Sequence, residues 1–289
     1  MATEHDVLTA ERRAHIVEAT AGILERHYVF PERGAALAQH LRDSVETCAE
    51  SDLNLFCASL TQAMRAHTPD RHLRVERAPR GAEDCTRPRP SSAAGLTAMR
   101  VLDGNVGYLD LVAFESVAWA APILAAAMQI LVDTTALIID LRCNGGGDPA
   151  TTSFLLGHFF AEPIHVTTFH DREGGNVQTW TPSYLPSPRY LDRPLALLTS
   201  RRTGSGAEEF AYVLKHLGRA RLFGETTAGA AHPGRFEPLP EGLRLFVPTG
   251  QPIVPCTNAN WEGEGVAPHE DVGENEALHA ALTWLRESA

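Results

Sequence analysis

Apolar side chains recur at helical spacing in the first part of the chain. Ile16 and Ile23 belong to a set spaced by three or four residues, which is what one buried helix face requires. A second helix is predicted from Pro31, a residue suited to a first helical turn, and a third from Ser51 as its N-cap. The pattern predicts a small N-terminal helical bundle within residues 1–75.

From residue 76 onward, short apolar runs alternate with helical segments. The runs 135–142 (TALIIDLR) and 193–200 (RPLALLTS) are almost continuously apolar, which is typical of strands buried on both faces. Each is followed by a glycine-containing turn and a helical segment. These strand–turn–helix units predict an α/β core over residues 76–289. The Pro-, Arg- and Ser-rich stretch 77–95 is predicted to be a surface loop.

Composition restricts the classes of function. The 289 residues include 25 Lys+Arg and 36 Asp+Glu, a formal net charge of −11, so no nucleic-acid partner is expected. No apolar run reaches the ~18 residues of a membrane-spanning helix. The first 20 residues carry charges throughout, so no secretory signal is expected. Five cysteines without a CxxC pair fit free thiols in the cytoplasm.

The turn that precedes the helix at 206–218 carries the first candidate for chemistry. A buried strand ends, the turn Arg-Thr-Gly-Ser-Gly follows, and the helix begins at or just after Ser205. Free N–H groups at a helix N-terminus can stabilise an oxyanion, which suits a nucleophile. Ser205 with Glu208 also fits a capping box. Spacing alone leaves both interpretations open.

A second glycine-rich turn follows the strand 135–142. Three consecutive glycines, Gly145 to Gly147, allow backbone N–H groups to approach a bound oxygen closely. The pattern is neither a Walker loop nor GxGxxG. A plain strand-to-helix turn is the alternative interpretation.

Histidines and acids outside these turns complete the candidate set. His72 lies in AHTPDRHLRV and could act as a general base; without an HExxH pattern, a metal site is not expected there. His232 lies in the loop GETTAGAAHPG, where it could form a wall of the substrate cleft or be a second histidine near the nucleophile and the next base to test; a tight surface turn is the alternative interpretation. Glu262 and Glu264 lie in a glycine-rich turn, where a carboxylate could orient a histidine.

Taken in order, these motifs resemble the tail-specific (C-terminal-processing) serine protease family. The branch they resemble is that of the tricorn protease core and the interphotoreceptor retinoid-binding protein repeats. The resemblance covers about residues 60–270 and rests on HLRV, GYLDL, IIDLRCNGGG, LTSRRTGSGAEEFAYVLK, GRARLFGETTAGAAHPG and NWEGEGVAPH. It implies a crotonase/ClpP-like core of ββα units.

The resemblance also implies roles for individual residues. Ser205 matches the nucleophile of the family, and the amide of Gly206 with one of the amides of Gly145, Gly146 or Gly147 matches the oxyanion hole. The base differs between branches. Where tail-specific proteases place a lysine in the GETTAGA-type loop, this chain has Ala230. Its single lysine, Lys215, lies ten residues beyond Ser205, about 15 Å along a helix, so Ser–Lys chemistry is excluded.

The tricorn-like branch implies a histidine base and an orienting glutamate. His72 matches the histidine; Glu262 matches the glutamate best, with Glu264 second. Arg71 replaces the serine that precedes the histidine in tricorn. An ionised Glu262 beside His72 is expected to raise the histidine pKa, which predicts an activity limb between about pH 6 and 8.

The sequence therefore predicts a cytoplasmic serine peptidase that works by acyl transfer on a peptide or small acyl substrate, without a cofactor. HLRV and GYLDL lie too close together for a PDZ domain between them. Homo-oligomers are an expectation by analogy with related cores. Two alternatives are a non-catalytic carrier of an apolar ligand and an acyl-bond enzyme of a small-molecule biosynthetic pathway.

Overall fold

The computed structural model describes residues 8–44, 50–68, 70–79 and 93–287. Helices in chain order are α1 (Ala10–His27), α2 (Pro31–Asp43), α3 (Leu53–His67), α4 (Val117–Leu131), α5 (Pro149–Leu156), α6 (Gly206–His216) and α7 (Ala277–Glu287). Strands are β1 (Arg74–Arg77), β2 (Leu96–Leu102), β3 (Val106–Leu111), β4 (Ala136–Asp140), β5 (His165–Asp171), β6 (Asn176–Trp180), β7 (Leu195–Thr199), β8 (Arg221–Gly224), β9 (Gly234–Leu239), β10 (Leu243–Pro248), β11 (Gly250–Ile253) and β12 (Glu270–Asp271).

These elements form two compact units that are discontinuous in sequence. The first unit contains the described residues within 1–87, together with His170–Asn176 and His232–Gln251. The second contains the remaining described residues. The division into domains 1–75 and 76–289 stays a prediction. The two later segments that belong to the first compact unit both lie within the predicted second domain. Most of the predicted loop 77–95, residues 80–92, lies outside the described residues.

In the first unit, α1, α2 and α3 pack on a small antiparallel sheet in the order β1-β10-β9. Leu243, Leu245 and Val247 are buried at the period-two spacing of one strand face. They join the same hydrophobic core as Ile16 and Leu24 of α1. The predicted helices are therefore present, but they do not form a bundle by themselves, since the sheet supplies part of their core.

The helix starts of the first unit follow the local sequence with one change. Thr9 caps α1, where its hydroxyl accepts the Arg12 N–H, and α2 begins at Pro31 as predicted. Ser51 was the predicted cap of α3, but Asp52 is the N-cap residue. Its carboxylate accepts the N–H groups of Asn54 and Leu55, and an ionised acceptor at this helix end also favours the helix dipole.

The second unit is built on a six-stranded sheet in the order β12-β8-β7-β4-β3-β2. Its strands are parallel except β2, which runs antiparallel to β3. All residues of β4 and β7 are buried. Leu137 and Ile139 contribute to the core with α4, α5 and α6, whereas Ile138 contributes to the core with α7. Helices thus cover both faces, which is why these two strands are apolar throughout.

The neighbouring parallel strands β4 and β7 place the two predicted turns together. Asp140, the last residue of β4, pairs with Leu198 near the end of β7. Both strands therefore end at the same edge of the sheet, and their turns lead into α5 and α6 there. Clefts at the carboxyl ends of parallel strands are the usual ligand sites of α/β sheets. The predicted α/β class is confirmed, and the crotonase/ClpP-like description stays a prediction.

Candidate active site

Ser205 occupies the N-cap position of α6 in an unusual backbone conformation. Its φ is 53° and its ψ is −122°. An ordinary N-cap residue lies in the β region, and a non-glycine residue at such a φ carries strain of about 1–3 kcal/mol. A sharp, strained strand-to-helix turn is known as a way of exposing a nucleophilic serine. Capping alone does not require this conformation, so the geometry favours the nucleophile interpretation.

The carboxylate of Glu208 holds the backbone around Ser205. Its Oε2 accepts the N–H of Ser205 (2.8 Å) and that of Ala230 (2.9 Å). Its Oε1 accepts the hydroxyl of Thr227 and the N–H of Gly229, both at 2.6 Å. Burial raises the pKa of Glu208 to about 7, although these hydrogen bonds act to lower it. This one side chain ties the serine turn to the loop 226–232.

The glycine turn after β4 packs directly on the serine turn. A Cβ built on Gly146 would lie 2.7 Å from the Ser205 Cβ and 2.7 Å from the Gly206 nitrogen. The Gly146 N–H donates to Asn144 Oδ1 (2.8 Å), and Asn144 is itself fixed by a bond to the Leu111 carbonyl. Gly146 therefore serves close packing and is not a free oxyanion donor.

Other amides of the two turns remain available. The N–H groups of Gly145, Gly147 and Gly206 make no hydrogen bond to any part of the chain that the structure describes. A Cβ on Gly206 would lie 3.4 Å from the Gly147 nitrogen, so these two amides are close neighbours. Gly147 with Gly206 is the pair of donors that the geometry favours for binding one oxygen.

Glu262 lies in the second unit, beside the same loop that Glu208 anchors. Its side chain is half-buried, and its Oε2 accepts the Ala231 N–H (2.6 Å). Its own N–H donates to Asn260 Oδ1 (2.8 Å). Glu264, two residues later, is exposed. Glu262 is thus held in place by the turn, which suits an orienting carboxylate better than the exposed Glu264 does.

His72 lies in the first unit in a poorly hydrated position. Its Nδ1 is buried and has no hydrogen-bond partner among the described residues. Burial lowers the pKa of His72 to about 4, and the nearby Asp70 opposes this change. The rise of the His72 pKa that was expected from Glu262 is therefore wrong for this structure, because loss of hydration outweighs the opposing attraction of the Asp70 carboxylate. The imidazole is neutral at pH 7, as a general base requires.

Asp70 and His232 form a buried pair that the sequence did not reveal. His232 Nδ1 lies 2.9 Å from Asp70 Oδ2, although 162 positions separate them in the chain. The Tyr28 hydroxyl donates to the same Asp70 oxygen (3.0 Å), and the His72 N–H donates to its Oδ1 (3.1 Å). In the sequence, Asp70 is noticeable only as an acid that lies between His67 and His72. Of those two, His67 stacks on His40 with ring centroids 4.7 Å apart.

The side chain of Lys215 forms a hydrogen bond in another part of the second unit. Its ammonium group donates to the Ala267 carbonyl (2.7 Å), near the last turn of α6. Ser205 stands at the opposite end of that helix. The exclusion of Ser–Lys chemistry therefore agrees with where the lysine side chain points.

Residues 105–272, more than half of the chain, match the family model of peptidase family S41. A protein of Parabacteroides merdae, solved as a candidate peptidase, has a TM-score of 0.71 and 18% identity, over 96% of this chain and 98% of that one. The photosystem II D1 C-terminal processing protease has a TM-score of 0.54 and 15% identity, over 92% of this chain and 94% of that one.

The tricorn protease has a TM-score of 0.59 and 14% identity, over 96% of this chain and 37% of that one. At sequence identities this low, the comparison shows that the three structures share their fold with this chain and shows nothing further. The family match agrees with the ordered motifs and with a serine at the strained turn before α6. The chain therefore belongs to peptidase family S41 and is a serine-type peptidase.

Proposed function

We propose that the protein cleaves peptide bonds by acyl transfer through Ser205, His72 and Glu262. The observation that carries the proposal is the strained backbone of Ser205 at the start of α6, next to amides that make no hydrogen bond to the described chain. Strain of this kind persists only where the surrounding structure holds it, and it clusters at active sites. The four hydrogen bonds to Glu208 supply that hold.

In this proposal, the Ser205 hydroxyl attacks the scissile carbonyl while His72 accepts its proton. The carbonyl oxygen becomes an oxyanion that the Gly147 and Gly206 amides bind. His72 then returns the proton to the leaving amine, and water hydrolyses the acyl-enzyme by the same route. Glu262 orients the imidazole and stabilises its protonated form. No cofactor takes part.

A second candidate for the base is His232. A catalytic histidine usually donates from Nδ1 to a buried carboxylate, and His232 has that arrangement with Asp70. His72 remains our proposal because its neutral form is favoured by burial and because it matches the histidine of the tricorn-like branch. The two histidines differ in a way that mutagenesis can separate.

Labelling by a small fluorophosphonate tests the nucleophile. Ser205→Ala is expected to abolish labelling while circular dichroism stays unchanged. Ser187→Ala is the matched control, since Ser187 also contacts a histidine, His158 Nε2, at 2.8 Å but is buried. Labelling that survives in Ser205→Ala, or disappears in Ser187→Ala, would remove Ser205 from the proposed role.

Steady-state kinetics of peptide cleavage test the base. His72→Gln is expected to lower kcat on the order of 10³-fold, the scale for losing a triad member. Lys215→Arg is expected to remain within a few-fold of the unmodified enzyme. If His232→Gln is inactive and His72→Gln is active, the base is His232 with Asp70.

The two alternative functions predict different results in the labelling and cleavage experiments. A carrier of an apolar ligand would not react with the fluorophosphonate, and an acyl-bond enzyme of small-molecule metabolism would prefer esters to peptides. Membership of a peptidase family favours the peptidase. The cytoplasmic location and the homo-oligomer stay predictions. None of the described helices combines the length and apolar character needed to cross a membrane.

A further inference from the structure

The second unit contains an apolar cavity of about 600 Å³ that the proposed chemistry does not use. Its walls come from α4, α5 and the strands β5 and β6. Its apolar lining includes Val117, Phe154, Phe169, Val177, Trp180 and Pro182. A volume of this size falls in the range of about 300–1,000 Å³ that is usual for small-molecule pockets.

The cavity begins where the oxyanion turn ends. Asp148, Pro149 and Ala150 border it and follow Gly147 directly in the chain. On the same helix, Thr152 Oγ1 lies 3.2 Å from the position of a Cβ built on Gly206. The first turns of α5 therefore contact the nucleophile turn and also form a wall of the cavity. A substrate whose carbonyl binds between Gly147 and Gly206 would have a neighbouring side chain at its entrance.

Two large apolar residues are exposed on the β6 side of this cavity. Val177 and Trp180 have 63% and 52% of their surface exposed. The Trp180 ring is nevertheless fixed, because it stacks on His165 with centroids 4.7 Å apart and planes 12° apart. Exposed apolar side chains held beside a cavity are typical of a binding surface.

The polar groups at the walls disfavour an acidic side chain, and both carboxylate oxygens that a basic one would bind already accept backbone N–H groups. Both carboxylate oxygens of Asp148 are occupied, one by the Ala150 N–H (2.9 Å) and one by the Val117 N–H (2.8 Å). Its negative charge still disfavours an acidic side chain nearby. The Ser153 hydroxyl is buried and has no hydrogen-bond partner in the described chain. Among the described residues, none that lines the cavity is basic.

We propose that this cavity is a specificity site for a large apolar side chain, aromatic or leucine-like, on a substrate residue that borders the scissile bond. The proposal rests on the function proposed for Ser205, since it takes the substrate carbonyl to lie between Gly147 and Gly206. Burial of one large apolar side chain is expected to raise affinity by roughly 10- to 100-fold.

Equilibrium binding to the Ser205→Ala protein tests the site without turnover. The ligands are acetylated pentapeptide amides of alanine whose central residue is tryptophan, leucine, alanine, aspartate or lysine, measured by isothermal titration calorimetry. Tryptophan and leucine are expected to bind at least about tenfold more tightly than alanine, aspartate and lysine. Equal affinity for all five peptides would overturn the proposal.

Two variants in the Ser205→Ala background locate the site. Trp180→Ala removes a wall, and Ala150→Trp fills the cavity from an exposed position of α5, where folding is little affected. Both are expected to abolish the preference for apolar peptides. Tyr184→Ala is the matched control, since Tyr184 is 80% exposed and does not line the cavity. A preference that survives both cavity variants, or that Tyr184→Ala removes, would place the site elsewhere.

Fluorophosphonate labelling of the enzyme with Ser205 intact separates this proposal from the one on which it rests. Labelling of Ser205 without a peptide preference would sink the specificity site alone. A peptide preference without labelling would sink the proposed nucleophile and leave an apolar peptide-binding site. Cleavage of the same five peptides by the intact enzyme should then rank kcat/KM in the order of the affinities.

Discussion

At the residue scale, the conformation of the serine turn depends on the absence of a side chain at Gly146. Gly146 has a φ of 99°, which L side chains rarely adopt, and its missing Cβ leaves room for the Ser205 side chain. Gly145, the preceding residue, has no such demand. Beyond its chain neighbours, a Cβ built there meets none of the described atoms within 4 Å.

Gly146→Ala is accordingly expected to inactivate the enzyme more than it unfolds it. The added Cβ must displace Ser205 or Gly206, and a shift of about 1 Å in a catalytic group costs on the order of 10²-fold in rate. Gly145→Ala is expected to keep the rate within a few-fold. Fluorophosphonate labelling rates and thermal melts of both variants measure this. Similar labelling rates for the two variants would contradict the packing account.

The role that we propose for His72 as the base predicts how kcat/KM depends on pH. A base must be neutral, so activity rises with pH through the histidine pKa, which burial lowers to about 4. The ascending limb is therefore expected below pH 6, and the rate should be nearly constant from pH 6 to 8. A limb centred between pH 6 and 8 would indicate that another histidine acts as the base or that substrate binding restores the ordinary pKa.

At the scale of elements, α6 and the loop 226–232 are joined through one carboxylate. Glu208→Gln presents an amide NH₂ in place of one acceptor oxygen, whereas four donors converge on the two oxygens of the glutamate. Each oxygen accepts two hydrogen bonds, so two of the four donors would then face the NH₂ group of the glutamine and lose their acceptor. We expect kcat to fall by tenfold or more with little change in KM, because the change displaces the Ser205 backbone.

The adjacent Glu209 provides a matched control for that substitution. Glu209 lies on the same helix and is buried like Glu208. Within the described chain, its carboxylate accepts one hydrogen bond, from the Thr167 hydroxyl to Oε1 (2.6 Å). Glu209→Gln keeps an oxygen for that bond and should leave kcat unchanged. Steady-state kinetics of both variants at pH 7.5 provide the comparison. Equal losses of kcat in the two variants would show that the effect comes from changing a buried carboxylate and not from the four hydrogen bonds of Glu208.

At the scale of the whole molecule, buried carboxyl groups tie stability to pH. Burial raises the pKa of Glu209 from its ordinary value of 4.5 to about 7. The native state therefore holds this proton more tightly than the unfolded chain does. The resulting stabilisation is complete below pH 4.5 and is lost as the pH rises through 7, by on the order of 3 kcal/mol.

Glu209→Gln should remove this loss. Relative to the unmodified protein, the free energy of unfolding is expected to rise at pH 8 by up to about 3 kcal/mol and to change much less at pH 5. Urea unfolding at the two pH values measures the difference. A stabilisation of the same size at both pH values would show that the effect does not come from ionisation.

The sequence by itself determined the two central strands β4 and β7 and the glycine-containing turns that follow them. Short, continuous apolar runs that end at glycine-containing turns are typical of strands covered on both faces, so β4 and β7 were recognisable, as were the turns at Gly145 to Gly147 and at Ser205. Local chemistry also predicted Pro31 at the start of α2. The ordered motifs were sufficient to indicate the peptidase family.

Only the tertiary structure decided which groups meet across long stretches of chain. The pairing of Asp70 with His232, the four bonds to Glu208 and the use of the Gly146 amide by Asn144 depend on backbone positions that no local pattern encodes. Burial likewise reversed the expected shift of the His72 pKa. Hydration is lost only when distant segments pack together, so the ionisation of such a group is a property of the folded chain.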